Sequence, residues 1–444
     1  MGEFVYRGGG LHAEGVPLGA VAEAAGTPAY VYAAGGMRRR LRRLRGAFAG
    51  QRATFFYAVK ANSNLAVIRT LAGAGAGADV VSGGELERAL AAGVPPARIV
   101  FAGVGKGRDE MARALEAGIH QFNVESLPEL AALGEVAAAR RARAPVALRV
   151  NPDVAAGGHE KISTGRRGDK FGIPYDEAPA AYAAAARLAG IEVVGLHLHI
   201  GSQITALPLF AEAYGRAVEL VWRLRAAGHA IRRLDLGGGF GVRYRDGDPE
   251  FDADAFAGMV RRLTADLDCE LMFEPGRALV AEAGVLLARV LYVKGGGAAG
   301  RAFVVLDAGM NNLVRPAMYG AYHGIVPVAE PPPGAPLEEV AVVGPICESS
   351  DVFARDRALP PLEAGDLVAL TGAGAYGAVM ASDYNSRPAA AEVLVDGGRF
   401  AVVKRRVEPA ERLALEAMPD WLLAAAGGAP GEDSGIRVVV EDGR

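Results

Sequence analysis

Only two cysteines, Cys269 and Cys347, occur in 444 residues. They lie far apart, so no disulfide framework is available and a reducing cytoplasm is the expected compartment. No stretch of about 20 residues is apolar enough to span a bilayer. Met1-Gly2-Glu3-Phe4 lacks a basic region followed by an apolar one, so no signal peptide is expected. Charge of one sign is also missing. The net charge is −3, which gives no reason to expect a nucleic-acid or membrane partner. The arginine run from Arg38 to Arg45 is a local exception. Its spacing leaves Met37, Leu41, Leu44 and Phe48 on one face, as in an amphipathic helix with a solvated basic side.

What is present is length and alternation. A chain of 444 residues exceeds one ordinary core, so two domains are expected. Short apolar strands are read at Phe55–Ala61, Ala78–Ser82, Ile99–Ala102, Gln121–Val124, Val146–Asn151, Val193–Ile200, Arg233–Leu236 and Glu270–Phe273. Helical patterns such as Asn64–Ala74, Glu85–Ala92, Asp109–Ala117 and Ala211–Ala227 fall between them. Eight such units in roughly 250 residues predict a closed (β/α)8 barrel within an α/β fold. After Glu282 strands follow without long helices, punctuated by Gly and Pro, notably Pro331-Pro332-Pro333-Gly334. That texture predicts a mostly antiparallel second domain. The expected division is a barrel over residues 28–281, a β-rich domain from 1–27 with 282–420, and a fraying tail over 421–444.

Lys60 ends the first predicted strand, at the barrel end that faces an active site. Between apolar neighbours it is expected to be partly desolvated, which lowers its pKa and leaves an amine able to form a Schiff base. The plain alternative is a lysine snorkelling at a strand end. Other strand ends shift the balance. His199 closes the sixth, where an imidazole can stack on a flat cofactor. Gly237-Gly238-Gly239-Phe240-Gly241 ends the seventh, where bare backbone N–H groups can approach a phosphate. Glu274-Pro275-Gly276-Arg277 ends the eighth, with a carboxylate and a guanidinium at one rim. His197 and His199 share a strand face, so a metal pair is conceivable, but of the other histidines only His159 is a candidate for a strand end, and no metal is expected. Gly295-Gly296-Gly297-Ala298-Ala299-Gly300 matches a dinucleotide fingerprint formally, yet it leads into a strand and reads as a hairpin turn.

Eight segments then occur in a family's order. They are Tyr57-Ala58-Val59-Lys60-Ala61-Asn62, His159-Glu160-Lys161-Ile162-Ser163-Thr164-Gly165 with Lys170-Phe171-Gly172, His199-Ile200-Gly201-Ser202-Gln203, the glycine run at 237–241, Glu274-Pro275-Gly276-Arg277, Arg315-Pro316-Ala317-Met318-Tyr319, Cys347-Glu348-Ser349, and Gly374-Ala375-Tyr376-Gly377. With these the chain resembles the fold-type III pyridoxal-phosphate decarboxylases, of alanine racemase and ornithine decarboxylase type, over roughly residues 25 to 410. Within them it is most similar to the diaminopimelate decarboxylase branch.

The resemblance implies a cofactor, pyridoxal 5'-phosphate, held by Lys60 and stacked on His199. Ser202, Gly238, Gly239, Gly276, Arg277 and Tyr376 would hold its phosphate, and Glu274 its ring nitrogen. Asp79 and Glu85 resemble the family's acids near the lysine. Arg277, Arg315 and Tyr319, with Tyr376, would take the substrate's far carboxylate and Glu348 its ammonium. Cys347 is the implied proton donor. Cys347 and Glu348 would come from a partner subunit, making a homodimer with shared sites. A carboxylate at the ring nitrogen favours decarboxylation over racemisation, because it keeps that nitrogen protonated. Recognition of a carboxylate and an ammonium together points to meso-diaminopimelate, giving L-lysine and carbon dioxide. Departures from the family pattern are Ser350, Asn312, Gly320, the altered run Arg387-Pro388-Ala389-Ala390-Ala391-Glu392-Val393 and a weak C-terminal segment. They leave room for a related amino acid or a modified diaminopimelate as substrate. A non-catalytic cofactor carrier and a barrel metallohydrolase are the readings from other classes.

Overall fold

The computed structural model describes residues 2–154, 170–295, 300–419 and 422. The expected segments at 159–165 and 296–299, and the tail past 422, lie outside the described residues. Eight parallel strands close into a barrel. They are Ala53–Ala58, Gly77–Val80, Ile99–Phe101, Gln121–Val124, Ala144–Asn151, Ile191–His197, Arg233–Asp235 and Glu270–Phe273. The last strand pairs back onto the first through Phe273 and Phe55. Helices wrap the outside, with caps their sequences supply: the Asn64 side chain accepts from the Ala66 N–H, and Ser82 from that of Glu85. The arginine-rich stretch forms the helix Ala34–Ala47, burying Met37, Leu41 and Leu44 as expected.

The second sheet is built around the long strand Gly284–Gly295, which pairs antiparallel with Ala302–Leu306, Leu367–Leu370 and Ala29–Ala33. Parallel pairs also occur, Ala302–Leu306 with Glu338–Val343 and Ala29–Ala33 with Ala391–Asp396, so the sheet is mixed although mostly antiparallel. Ala29–Ala33 thus hydrogen-bonds entirely within the second sheet. Its five residues are all buried, and it has neighbours on both of its edges.

Several expected strand ends also differ, two of them beside candidate site residues. The first strand stops at Ala58, and Lys60 sits in the 3-10 turn Val59–Ala61. The Tyr57 hydroxyl donates to the Asn62 carbonyl at 2.9 Å and the Asn62 N–H to that of Val59, which turns the chain inward. The sixth strand stops at His197, two residues before His199.

Barrel and sheet meet through main chain. The Gly374 N–H donates to the Ala281 carbonyl at 3.0 Å, the Ala373 N–H to that of Gly284 at 2.9 Å, and Asn62 Nδ2 to the Gly374 carbonyl at 3.1 Å. A Cβ at Gly374 would collide with the Val280 carbonyl. Buried Glu392 ties the same seam, accepting from Tyr32 and Asn64 and pairing with Lys404 at 3.0 Å.

Candidate active site

The barrel strands carry a buried acidic group. Asp79, Asp235 and Glu274 stand at or just past three strand ends, and all three are buried. Glu274 Oε1 accepts from Asn123 Nδ2 at 3.0 Å, and its Oε2 lies 3.4 Å from His197 Nε2. Asn123 also donates to Asp235 at 3.2 Å, and the Gly237 N–H donates to the other Asp235 oxygen at 3.1 Å. The three carboxyls do not all ionise. Burial and the charge of Glu274 push Asp79 up to about 7 and raise Asp235 as well. Burial opposes ionisation of Glu274 too, but His197 and Lys60 outweigh it and hold that carboxyl below its usual range.

Lys60 Nζ donates to Asp79 Oδ2 at 2.7 Å. This reverses the pKa direction expected from sequence. Burial lowers the lysine pKa, but Asp79 and Glu274 more than offset it, and the net shift is upward. The amine is therefore stored as an ammonium against Asp79. Glu85 accepts from the Val81 N–H at 2.9 Å. His199 is held neutral by burial and by Arg149 and Lys60, and its Nδ1 accepts from the Gly238 N–H at 3.2 Å. That bond fixes the ring beside the glycine run, where Gly237 and Gly239 both have positive φ, 64° and 94°, and a Cβ at either would strike a carbonyl of the His199 loop.

A cationic wall faces this acidic group. Arg277, on the turn after Glu274, donates from Nη1 to Tyr244 Oη at 2.7 Å and from Nη2 to Ser202 Oγ at 3.0 Å. Its guanidinium lies 4.8 Å from the Tyr376 ring, and the Tyr376 N–H donates to the Ala61 carbonyl at 2.8 Å, beside Lys60. Gly276 lets this turn approach, since a Cβ there would lie 3.1 Å from that of Ala61. Arg315 stacks on the Tyr244 ring at 4.9 Å, with Tyr319 closing the same short helix. Sequence reading missed Tyr244, His323, Arg149, Asn123 and Asp235. A charged residue within the apolar run Leu234-Asp235-Leu236 was a usable signal for the last; the others carried none beyond their nearness to named motifs.

Cys347 and Glu348 are not brought to this group within one chain. Both are exposed: the Cys347 N–H donates to Asn385 Oδ1 at 3.1 Å, and Glu348 accepts from Tyr384 at 2.7 Å and Ser350 at 2.9 Å. The departures have local roles. Ser350 braces Glu348, Asn312 accepts from the Gly309 N–H at 3.2 Å, and Gly320 takes the left-handed cap, φ 60°, of the Arg315–Tyr319 helix. His197 groups with Asp235 and Glu274, ligand atoms within 4.8 Å, and those carboxylates already accept from Asn123 and Gly237.

A primary amine, a buried ionised carboxylate, a neutral imidazole and glycines beside a serine and an arginine form a donor set that fits a phosphorylated pyridine aldehyde. Known proteins agree. Residues 34–281 match the family model described as the pyridoxal binding domain of pyridoxal-dependent decarboxylases. A diaminopimelate decarboxylase of Pseudomonas aeruginosa is 51% identical over 418 residues, covering 94% of this chain and 99% of that protein. One from Zymomonas mobilis is 46% identical over 423 residues, covering 94% and 99%. The crystal structure of diaminopimelate decarboxylase from M. jannaschii with L-lysine superposes with a TM-score of 0.89 at 37% identity, covering 94% of this chain and 98% of that one. The chain belongs to the pyridoxal-dependent decarboxylases.

Proposed function

We propose that this protein decarboxylates meso-diaminopimelate at its D-configured carbon, releasing L-lysine and carbon dioxide. The observation that carries the reading is the pairing of Arg277 and Arg315 on one tyrosine, Tyr244, within reach of the Lys60 turn through Tyr376. Two guanidiniums set side by side match a carboxylate at the end of the substrate away from the reacting carbon. Pyridoxal phosphate, when bound, supplies the sink for the electron pair left by the departing carbon dioxide. Lys60 would hold it, Glu274 would keep its ring nitrogen protonated, and His199 would support the ring. Ser202, Gly238, Gly239, Gly276, Arg277 and Tyr376 would take its phosphate. Asp79, near neutral pH, accepts or returns the Lys60 proton at 2.7 Å.

Cys347 and Glu348 are exposed on one chain, and a second copy of the chain is proposed to bring them to this site, Cys347 as proton donor and Glu348 for the distal ammonium. Residues from Ala34 to Ala281 are proposed as the cofactor-binding unit, with the flanking sheet as the unit that presents Arg315 and Cys347. Two unpaired cysteines suit a cytoplasmic location. Among the described residues no helix is long and apolar enough to cross a membrane. Carbon dioxide release is measured with meso-diaminopimelate, ornithine, lysine and arginine. Release from diaminopimelate at least about a hundredfold faster than from the others is expected, since the site loses a charge partner with each. Preference for ornithine or lysine would overturn the substrate.

A further inference from the structure

Behind Arg315 lies a histidine that neither the sequence motifs nor the reaction requires. His323 is 1% exposed. Its Nδ1 lies 2.9 Å from the Thr371 carbonyl and its Nε2 2.9 Å from Arg315 Nη1. A carbonyl only accepts, and a guanidinium only donates. The two neighbours therefore fix the tautomer: Nδ1 carries the proton, and Nε2 accepts from Arg315. Burial and the nearby Arg315 charge hold the imidazole down to about 3, so it is neutral throughout the working range. Its ring meets the Tyr244 ring edge-on, centroids 5.6 Å apart. Arg315 is thus gripped on one nitrogen by His323 and on its flat face by Tyr244.

We propose that His323 is a positioning residue for substrate recognition: it fixes the orientation of Arg315 so that the rest of the guanidinium meets the substrate's distal carboxylate. The inference rests on the reading that Arg315 binds that carboxylate. A neutral partner matters here. A carboxylate behind Arg315 would hold it as firmly but would neutralise the charge meant for the ligand, whereas an imidazole orients it without competing. The Thr371 carbonyl in turn anchors the imidazole to the strand that ends at Leu370.

The test compares two inhibitors of the holoenzyme, L-lysine, which carries a carboxylate, and 1,5-diaminopentane, which is the same chain without it. His323→Phe removes the acceptor and keeps the bulk. His323→Gln offers an amide oxygen near the Nε2 position. For His323→Phe the inhibition constant of L-lysine should rise about ten- to a hundredfold, the range for losing one hydrogen bond to a charged group, while that of 1,5-diaminopentane changes less than about twofold. The KM for diaminopimelate should rise with L-lysine, and visible absorbance of the bound cofactor should persist. His323→Gln should recover most of the loss. Equal weakening of both inhibitors, or none, would overturn the role of His323. Arg315→Met separates the two readings. If it abolishes the preference for L-lysine over the diamine while His323→Phe keeps it, the positioning role fails alone. If Arg315→Met keeps the preference, the carboxylate reading fails as well.

Discussion

The barrel core and the seam beside it carry opposite charge and are built by different means. Asp79 and Asp235 stand on strands whose register is set by backbone ladders, and Glu274 directly follows one: Asp79 pairs with Ala58 and Val100, and Asp235 with His197 and Met272. Arg277, Arg315, Tyr244 and His323 lie outside all of those strands. They are placed by contact with each other, with Tyr244 shared by both arginines. The acidic half has its backbone paired, and its carboxyls are set apart: Asp79 and Asp235 are pushed up while Glu274 is held below its usual range. The cationic half is ordered only as long as its aromatic and imidazole neighbours stay in place. The first half suits a cofactor that must be held in one orientation. The second suits a ligand end whose identity sets specificity.

The comparison can be broken at several points. The largest effect is expected at Lys60. Lys60→Ala should remove the visible absorbance of bound cofactor and cut carbon dioxide release by more than about a thousandfold, as loss of a nucleophile does. Colourless wild-type protein after reconstitution would refute the cofactor role of the acidic half. Next, Glu274→Gln should keep cofactor bound while lowering kcat about a hundred- to a thousandfold, the range for one preorganised electrostatic group. A normal kcat would mean that the buried carboxylate does not tune the ring. A sharper test concerns Cys347, on neither half of one chain. Mixing Lys60→Ala with Cys347→Ala subunits should restore up to about a quarter of sites by random association. No recovery, with exchange of subunits demonstrated, would place Cys347 outside the site.

The smallest effect concerns acid stability. At the opposite end of the barrel strands, Glu270 is held at about 2 by the His120 imidazole, 3.7 Å away, against burial, and by a hydrogen bond from Thr54 and the charge of Arg233. Its folded pKa lies below the unfolded one, so its contribution is present above about 4.5 and is lost as pH falls toward 2. Glu270→Gln should flatten that limb of the unfolding curve by about 1 kcal/mol, read by chemical denaturation between pH 5 and about 2.5. An unchanged slope would show that the acid limb belongs to other carboxylates.

Much of the barrel was legible because burial forces period and composition together. Gln121–Val124 and Glu270–Phe273 run where the sequence predicts them. The misses have physical causes. Lys60 and His199 lie past their strands because side-chain and glycine turns, not propensity, end the ladders there. Ala29–Ala33 reads as one more apolar run, and only its hydrogen-bond partners tell which sheet it joins. The direction of the Lys60 shift needed the Asp79 distance, which no local pattern encodes. Tyr244 sits in the charged loop Arg243-Tyr244-Arg245-Asp246, where nothing in the residue order shows that two distant arginines converge on it.

The glycine contact at Gly374 has a consequence for motion. Main chain from the barrel's last helix and from the sheet touch with no side chain between them, and three hydrogen bonds cross or flank the contact. Such a joint has no lubricating layer on which one body can slide over the other. Barrel and sheet are therefore expected to tumble as one piece, and substrate traffic to depend on side chains and rim segments that relax in nanoseconds to microseconds rather than on a slow hinge.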